Sequence, residues 1–74
     1  MIGDDIGVGI VGLGGMGTLH ARSVRDLGAA VVAGVDLVPE QRERFAAEFD
    51  ARTYETHEEL VADETVDAVI VTTP

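Results

Sequence analysis

Three stretches of the chain are apolar with little interruption, and more polar stretches with helical spacing lie between them. The first, Ile6 to Val11 (Ile-Gly-Val-Gly-Ile-Val), is an apolar run softened by glycines. A short run of this kind bounded by turn residues predicts a parallel strand covered on both faces and placed centrally in its sheet. It leads into Gly12-Leu13-Gly14-Gly15-Met16-Gly17 and a predicted helix from about Gly15 to Leu27. Met16, Leu19, Val24 and Leu27 lie on or near one face of that helix, and Gly28 supplies the stop signal. His20 and Ser23 lie beside the stripe, which predicts for His20 a packed or hydrogen-bonded boundary position rather than a catalytic one.

Ala30 to Val35 reads as a second strand, ending on Asp36. Pro39 then opens a second helix at its first turn, where the missing amide costs nothing, and Glu40 suits the positive end of the dipole. Arg42, Phe45, Ala46 and Phe49 follow helical spacing, with the phenylalanines set to pack on the sheet. Arg52 to Tyr54 predicts a short third strand at an edge. Thr56-His57-Glu58-Glu59 spells a capping box for a brief helix to about Ala62, inside which His57 is expected to be exposed. Asp63-Glu64-Thr65 forms a turn, and Asp67 to Thr72 is expected to be another buried parallel strand. This alternation of strands and helices is the first half of a doubly wound α/β fold. The expected sheet is parallel, of about four strands in the order 3-2-1-4, without the second half.

The candidate chemistry lies in the glycines. Gly12, Gly14 and Gly17 occupy the three positions of G-x-G-x-x-G, where the first permits a tight turn, the second close approach of a pyrophosphate, and the third close packing of helix on strand. The amides at the start of the following helix then face the anion. An acid about 20 positions on completes the dinucleotide fingerprint, and Asp36 fills that place. At the carboxyl end of a strand beside the first, its carboxylate accepts from both ribose hydroxyls and repels a 2′-phosphate, which favours NAD over NADP. Arg42, one helical turn before Phe45, either stacks on the adenine or approaches the ribose, or else pairs with Glu43 or Asp36. A methyl-donor-dependent transferase also places glycines after a first strand. It wants an acid two positions before the first glycine and glycine at alternate positions, but Ile10 and Met16 stand there.

Composition narrows the setting. The 74 residues make one small domain, 46% hydrophobic with mean hydropathy +0.19, which favours a globular chain. No apolar stretch approaches the ~18 residues of a membrane span, and the acidic Met-Ile-Gly-Asp-Asp start is unlike a secretory signal, so the expected compartment is the cytoplasm. With no cysteine and two separated histidines, neither a disulfide framework nor a metal site is expected. The net charge of −9 argues against nucleic acid or an anionic membrane as partner. All five basic residues are arginine, and an acidic surface without lysine predicts a salt-adapted, halophilic host in which ions screen self-repulsion.

The stretch Gly9 to Gly17, with His20-Ala21 after it, resembles the opening of the glucose-fructose oxidoreductase / inositol dehydrogenase (Gfo/Idh/MocA) family. So do Gly34-Val35-Asp36, the Pro39-Glu40 helix start, Tyr54 to Leu60 and the Val71-Thr72-Thr73-Pro74 end. The resemblance covers essentially the whole chain. It implies an NAD(P)-dependent oxidoreductase of sugars, cyclitols or related polyols, whose Rossmann domain precedes an α/β substrate domain. It also implies that Gly12, Gly14, Gly15, Met16 and Gly17 form the pyrophosphate loop, that Asp36 holds the adenosine ribose, and that Thr72, Thr73 and Pro74 line the cofactor beyond it. The resemblance places the family's catalytic lysine, in a Glu-Lys-Pro motif on the next strand, and its later histidine beyond residue 74, and the chain has no lysine to fill the first role. The expectation is therefore the N-terminal part, residues 1–74, of a dinucleotide-binding domain that carries no catalytic residue, with a non-catalytic redox-sensing or assembly module as the alternative. A strand at Asp67 to Thr72 without a further neighbour presents a bare apolar edge, which predicts a homo-oligomer paired through residues 67–72.

Overall fold

All five residues of β1 (Gly7–Val11) are buried, because this strand has a neighbour on each side and helical cover on both faces. The computed structural model describes residues 6–72, so Thr73 and Pro74 lie outside the described residues. β1, β2 (Ala30–Val35), β3 (Arg52–Tyr54) and β4 (Ala68–Val71) form one parallel sheet in the order β3-β2-β1-β4, as the alternating pattern predicts. α1 (Gly15–Asp26) and α2 (Pro39–Phe49) pack on one face, where Ala21, Val24 and Phe45 meet Val8, Ile10 and Leu13. α3 (His57–Val61) covers part of the other, setting Leu60 against Val11, Ala33 and Val35.

The β1–β2 register shifts between Val8 and Gly9: Val8 pairs with Val31 and Gly9 with Ala33, leaving Val32 as the extra residue of a bulge. Val32 and Ala33 consequently pack toward the same side, with Leu60. α3 begins with the complete capping box, Thr56 accepting from the Glu59 amide while the Glu59 carboxylate accepts from the Thr56 amide.

Three sequence expectations need correction. The face α1 buries is Gly17, Ala21 and Val24, while Met16, Leu19 and Leu27 stay 60%, 54% and 51% exposed. Residues 17, 21 and 24 repeat at helical spacing and are small enough to let the helix settle on β1. The larger apolar side chains on the neighbouring flank do not fit beneath the axis. His20 shares that outer flank and is exposed rather than packed. β4 is likewise not a buried strand: Ala68, Val69 and Val71 are exposed and only Ile70 is partly covered. It pairs with β1 alone, and no described element lies on its far side.

At the amino ends of the strands a polar cluster ties β3 to the turn before β4. Both Asp63 carboxylate oxygens accept from Arg52 (2.9 and 3.3 Å), and Tyr54 Oη donates to Oδ2 at 2.8 Å. The Thr65 amide and hydroxyl donate to Oδ1 at 2.9 and 2.6 Å. The Arg52 guanidinium, with the Thr65 and Tyr54 donors, holds the Asp63 carboxyl well below the usual carboxylate range.

Candidate functional site

The glycine turn is held from three sides by main-chain geometry. Gly12 has φ 92°, the left-handed region that favours glycine, and its amide donates to Val35 O at 2.9 Å, fixing the turn to β2. Leu13 drops its side chain into the core and is 2% exposed, so the residue between the first two glycines anchors the bend. Gly17 lies directly against the Gly12 carbonyl. A Cβ at Gly17 would overlap that oxygen outright and come within 3.0 Å of Thr72 Oγ1. From β4, the Thr72 amide donates to Val11 O at 2.8 Å, and its hydroxyl lies within bonding reach of Gly12 O (2.8 Å) and Val11 O (3.0 Å).

The start of α1 is left open. Its N-cap is Gly14, with no side-chain cap and no acidic residue in the first turn, unlike the boxed start of α3. A Cβ on Gly15 would meet nothing within 4 Å, and one on Gly14 only Gln41 Nε2 at 3.9 Å. First-turn amides without an internal acceptor, at the positive end of a helix dipole and with free space before them, suit an anionic diphosphate.

Asp36 follows β2 at the same end of the sheet. Its Oδ2 accepts from the Leu13 amide and its Oδ1 from the Val38 amide, each at 2.8 Å. The acid therefore turns toward the glycine bend, and a carboxylate offers about four lone-pair sites, so two remain for hydroxyl donors. Beside it opens a cleft of about 530 Å³ bordered by Gly12, Val35, Asp36, Leu37 and Val38, with Thr56 and His57 opposite. That volume falls within the range of small-ligand sites. Leu37 is 79% exposed and Val38 43%, apolar surface suited to a flat aromatic base. Neither was singled out by the sequence reading, although an apolar pair directly after the acid was the available signal. A smaller hollow of about 250 Å³ lies behind the loop between α1 and α2. It is flanked by Arg22 and Glu48, whose bidentate pairing raises the arginine pKa and lowers the carboxyl pKa.

The structure thus gathers Gly12, Gly14, Gly15, Met16, Gly17, Asp36 and Thr72 around the carboxyl ends of β1, β2 and β4. Arg42 stands one layer back. Its Nη1 donates to the main-chain oxygen of Asp36 at 2.7 Å, a contact with Asp36 made through the backbone rather than the carboxylate. Among the described residues no group of three or more His, Cys, Asp or Glu could hold a metal, and no helix is long and apolar enough to cross a membrane.

The family described as "Oxidoreductase family, NAD-binding Rossmann fold" (GFO_IDH_MocA) matches residues 6–74. The inositol 2-dehydrogenase of Rubrobacter xylanophilus is 37% identical over 71 residues, which is 93% of this chain and 20% of that protein. Among solved structures, GenD2 from gentamicin A biosynthesis in complex with NAD superposes with TM-score 0.89 at 35% identity, over 100% of this chain and 21% of that one. The myo-inositol dehydrogenase of Lactobacillus casei in complex with NAD(H) and myo-inositol gives TM-score 0.82 at 33% identity, over 92% of this chain and 21% of that one. The chain spans about one fifth of the length of these relatives.

Proposed function

The chain belongs to the oxidoreductase family with the NAD-binding Rossmann fold, and from that membership we propose that it serves as the adenosine- and diphosphate-holding piece of a dehydrogenase acting on a sugar, cyclitol or related polyol. The observation that carries the site is the Asp36 carboxylate, anchored on the Leu13 and Val38 amides at the rim of the cleft beside the glycine turn. In this reading the amides from Gly14 to Gly17 hold the diphosphate, and Met16 flanks it on the first turn of α1. Asp36 takes the adenosine ribose, while Leu37 and Val38 support the adenine. Thr72 fixes the carbonyls of Val11 and Gly12, while Thr73 and Pro74, outside the described residues, are proposed as further cofactor contacts. The bound cofactor supplies the hydride acceptor for a secondary alcohol carbon. These residues bind and orient it, and none of them transfers a proton. The substrate class rests on the inositol dehydrogenases among the relatives.

Calorimetric titration with NAD and NADP, on this chain and on Asp36→Ala, tests the reading. NAD is expected to bind more tightly than NADP. Removing the carboxylate should weaken NAD about tenfold or more and narrow the gap between the two, since a charged acceptor is worth about 1.5–3 kcal/mol. Equal affinities of both proteins for both cofactors would remove Asp36 from the site.

The proposal extends to the setting. A cytoplasmic, salt-rich host fits a cysteine-free chain of net charge −9. A second copy pairing along β4, where Val69 and Val71 are 42% and 63% exposed, fits the apolar edge. Like-charged copies repel, and salt screens them. Sedimentation velocity is thus expected to show a dimer favoured by molar KCl over dilute buffer, whereas a dispersed monomer in both would refute the pairing.

A further inference from the structure

The carbonyl of Asp36 lies one residue beyond the end of β2, past the last pair of the β2–β3 ladder, Val35 with Tyr54. The chain fills that gap with a charged donor, since Arg42 reaches back from the first turns of α2 to place Nη1 2.7 Å from this oxygen. Every other polar atom of Asp36 is also engaged. Its amide donates to Tyr54 O at 3.2 Å, and its two carboxylate oxygens accept from Leu13 and Val38 at 2.8 Å each. Among the described residues no ion pair joins the Arg42 guanidinium to the Asp36 carboxylate. The arginine is half-buried and directed at the main chain.

We propose that Arg42 is a positioning residue for dinucleotide binding: it fixes the Asp36 peptide so that the carboxylate stays seated on the Leu13 and Val38 amides with its free lone pairs toward the ribose, and it acts on the cofactor only through Asp36. The inference rests on the reading of Asp36 as the ribose acceptor. It differs from a direct role for Arg42, in which the guanidinium stacks on the adenine or meets a phosphate. Losing the Nη1 donor frees the Asp36 peptide to rotate. The acid can then leave the loop amide, and both the ribose acceptor and the set of the glycine turn relax together.

Two measurements on the whole chain test this. In the ligand-free protein, amide hydrogen exchange at Leu13 and Val38 is expected to speed up severalfold in Arg42→Met, which keeps the aliphatic stem. Arg42→Lys should recover part of the protection, and Ile10 and Val31 in the sheet should stay unchanged as evidence that the fold is intact. Unaltered exchange at Leu13 and Val38, or equal acceleration throughout the sheet, would overturn the proposal without reference to any cofactor. In a double-mutant cycle read by calorimetry, Arg42→Met is expected to weaken NAD about tenfold in the native background but less than about twofold in Asp36→Ala. The same weakening in both backgrounds would mean that the guanidinium touches the ligand itself. Loss of any distinction between the native chain and Asp36→Ala would instead overturn the ribose assignment, leaving the exchange experiment to decide the role of Arg42.

Discussion

Gly17→Ala is expected to cost about 3 kcal/mol or more of stability and to abolish dinucleotide binding. The added methyl would coincide with the Gly12 carbonyl, and a main-chain oxygen cannot swing aside as a flexible side chain can. That carbonyl is also tied to β4 through the Thr72 hydroxyl at 2.8 Å, so any shift of the turn pulls on the sheet. Small domains have about 5 kcal/mol to lose, and urea titration followed by circular dichroism should show a midpoint far below that of the parent chain. Gly15→Ala is the matching control. Nothing lies within 4 Å of its missing Cβ, and alanine favours a helix, so the stability should hold or rise by up to ~1 kcal/mol. The same methyl would stand in the space before the α1 amides and weaken NAD. A parent-like midpoint for Gly17→Ala would mean that the helix does not rest on the turn as described.

Phe45→Ala should be comparably damaging, at about 3–5 kcal/mol. Phe45 is 2% exposed, meets the Phe49 ring in a tilted contact with 4.7 Å between ring centres, and packs in the same cluster as Leu13. A side chain bound at Gly34 would come within 2.7 Å of the ring, which shows how closely Phe45 lies on β2. Removing it leaves a cavity between α2 and the strand that carries Asp36, so loss of stability and loss of NAD affinity should appear together. A shift no larger than the ~0.5 kcal/mol usual for surface positions would contradict the packing. Phe45→Leu, which keeps most of the buried surface, should fall between the two.

Much of the architecture is legible in the sequence because each boundary has a local cause. Pro39 starts α2, Thr56 and Glu59 start α3, and the run from Ala30 to Val35 is bounded as the strand is. What escapes the sequence depends on contacts between elements. The face that α1 buries is chosen by how near a helix can come to β1, and that favours Gly17, Ala21 and Val24 over bulkier neighbours. The faces of β2 could not be assigned by alternation, because the bulge at Val32 turns two successive residues the same way inside a wholly apolar run. β4 has the composition of a covered strand but lacks described cover, a property of its surroundings and not of its residues. In the site, Asp36 and the glycines were legible from spacing. The Leu13 and Val38 amides were not, since every residue but proline has one and only the fold decides which face a carboxylate.

The order β3-β2-β1-β4 places the first strand between the second and the fourth, with Val8 paired to Ala68 across most of the chain. Every neighbouring pair is parallel, so no local hairpin can form early and serve as a template. Loop closure over such separations is slow. During synthesis, therefore, the β1–β4 ladder must wait until Ala68 to Val71 have left the ribosome, and until then β1 offers one bare side to whatever apolar strand it meets.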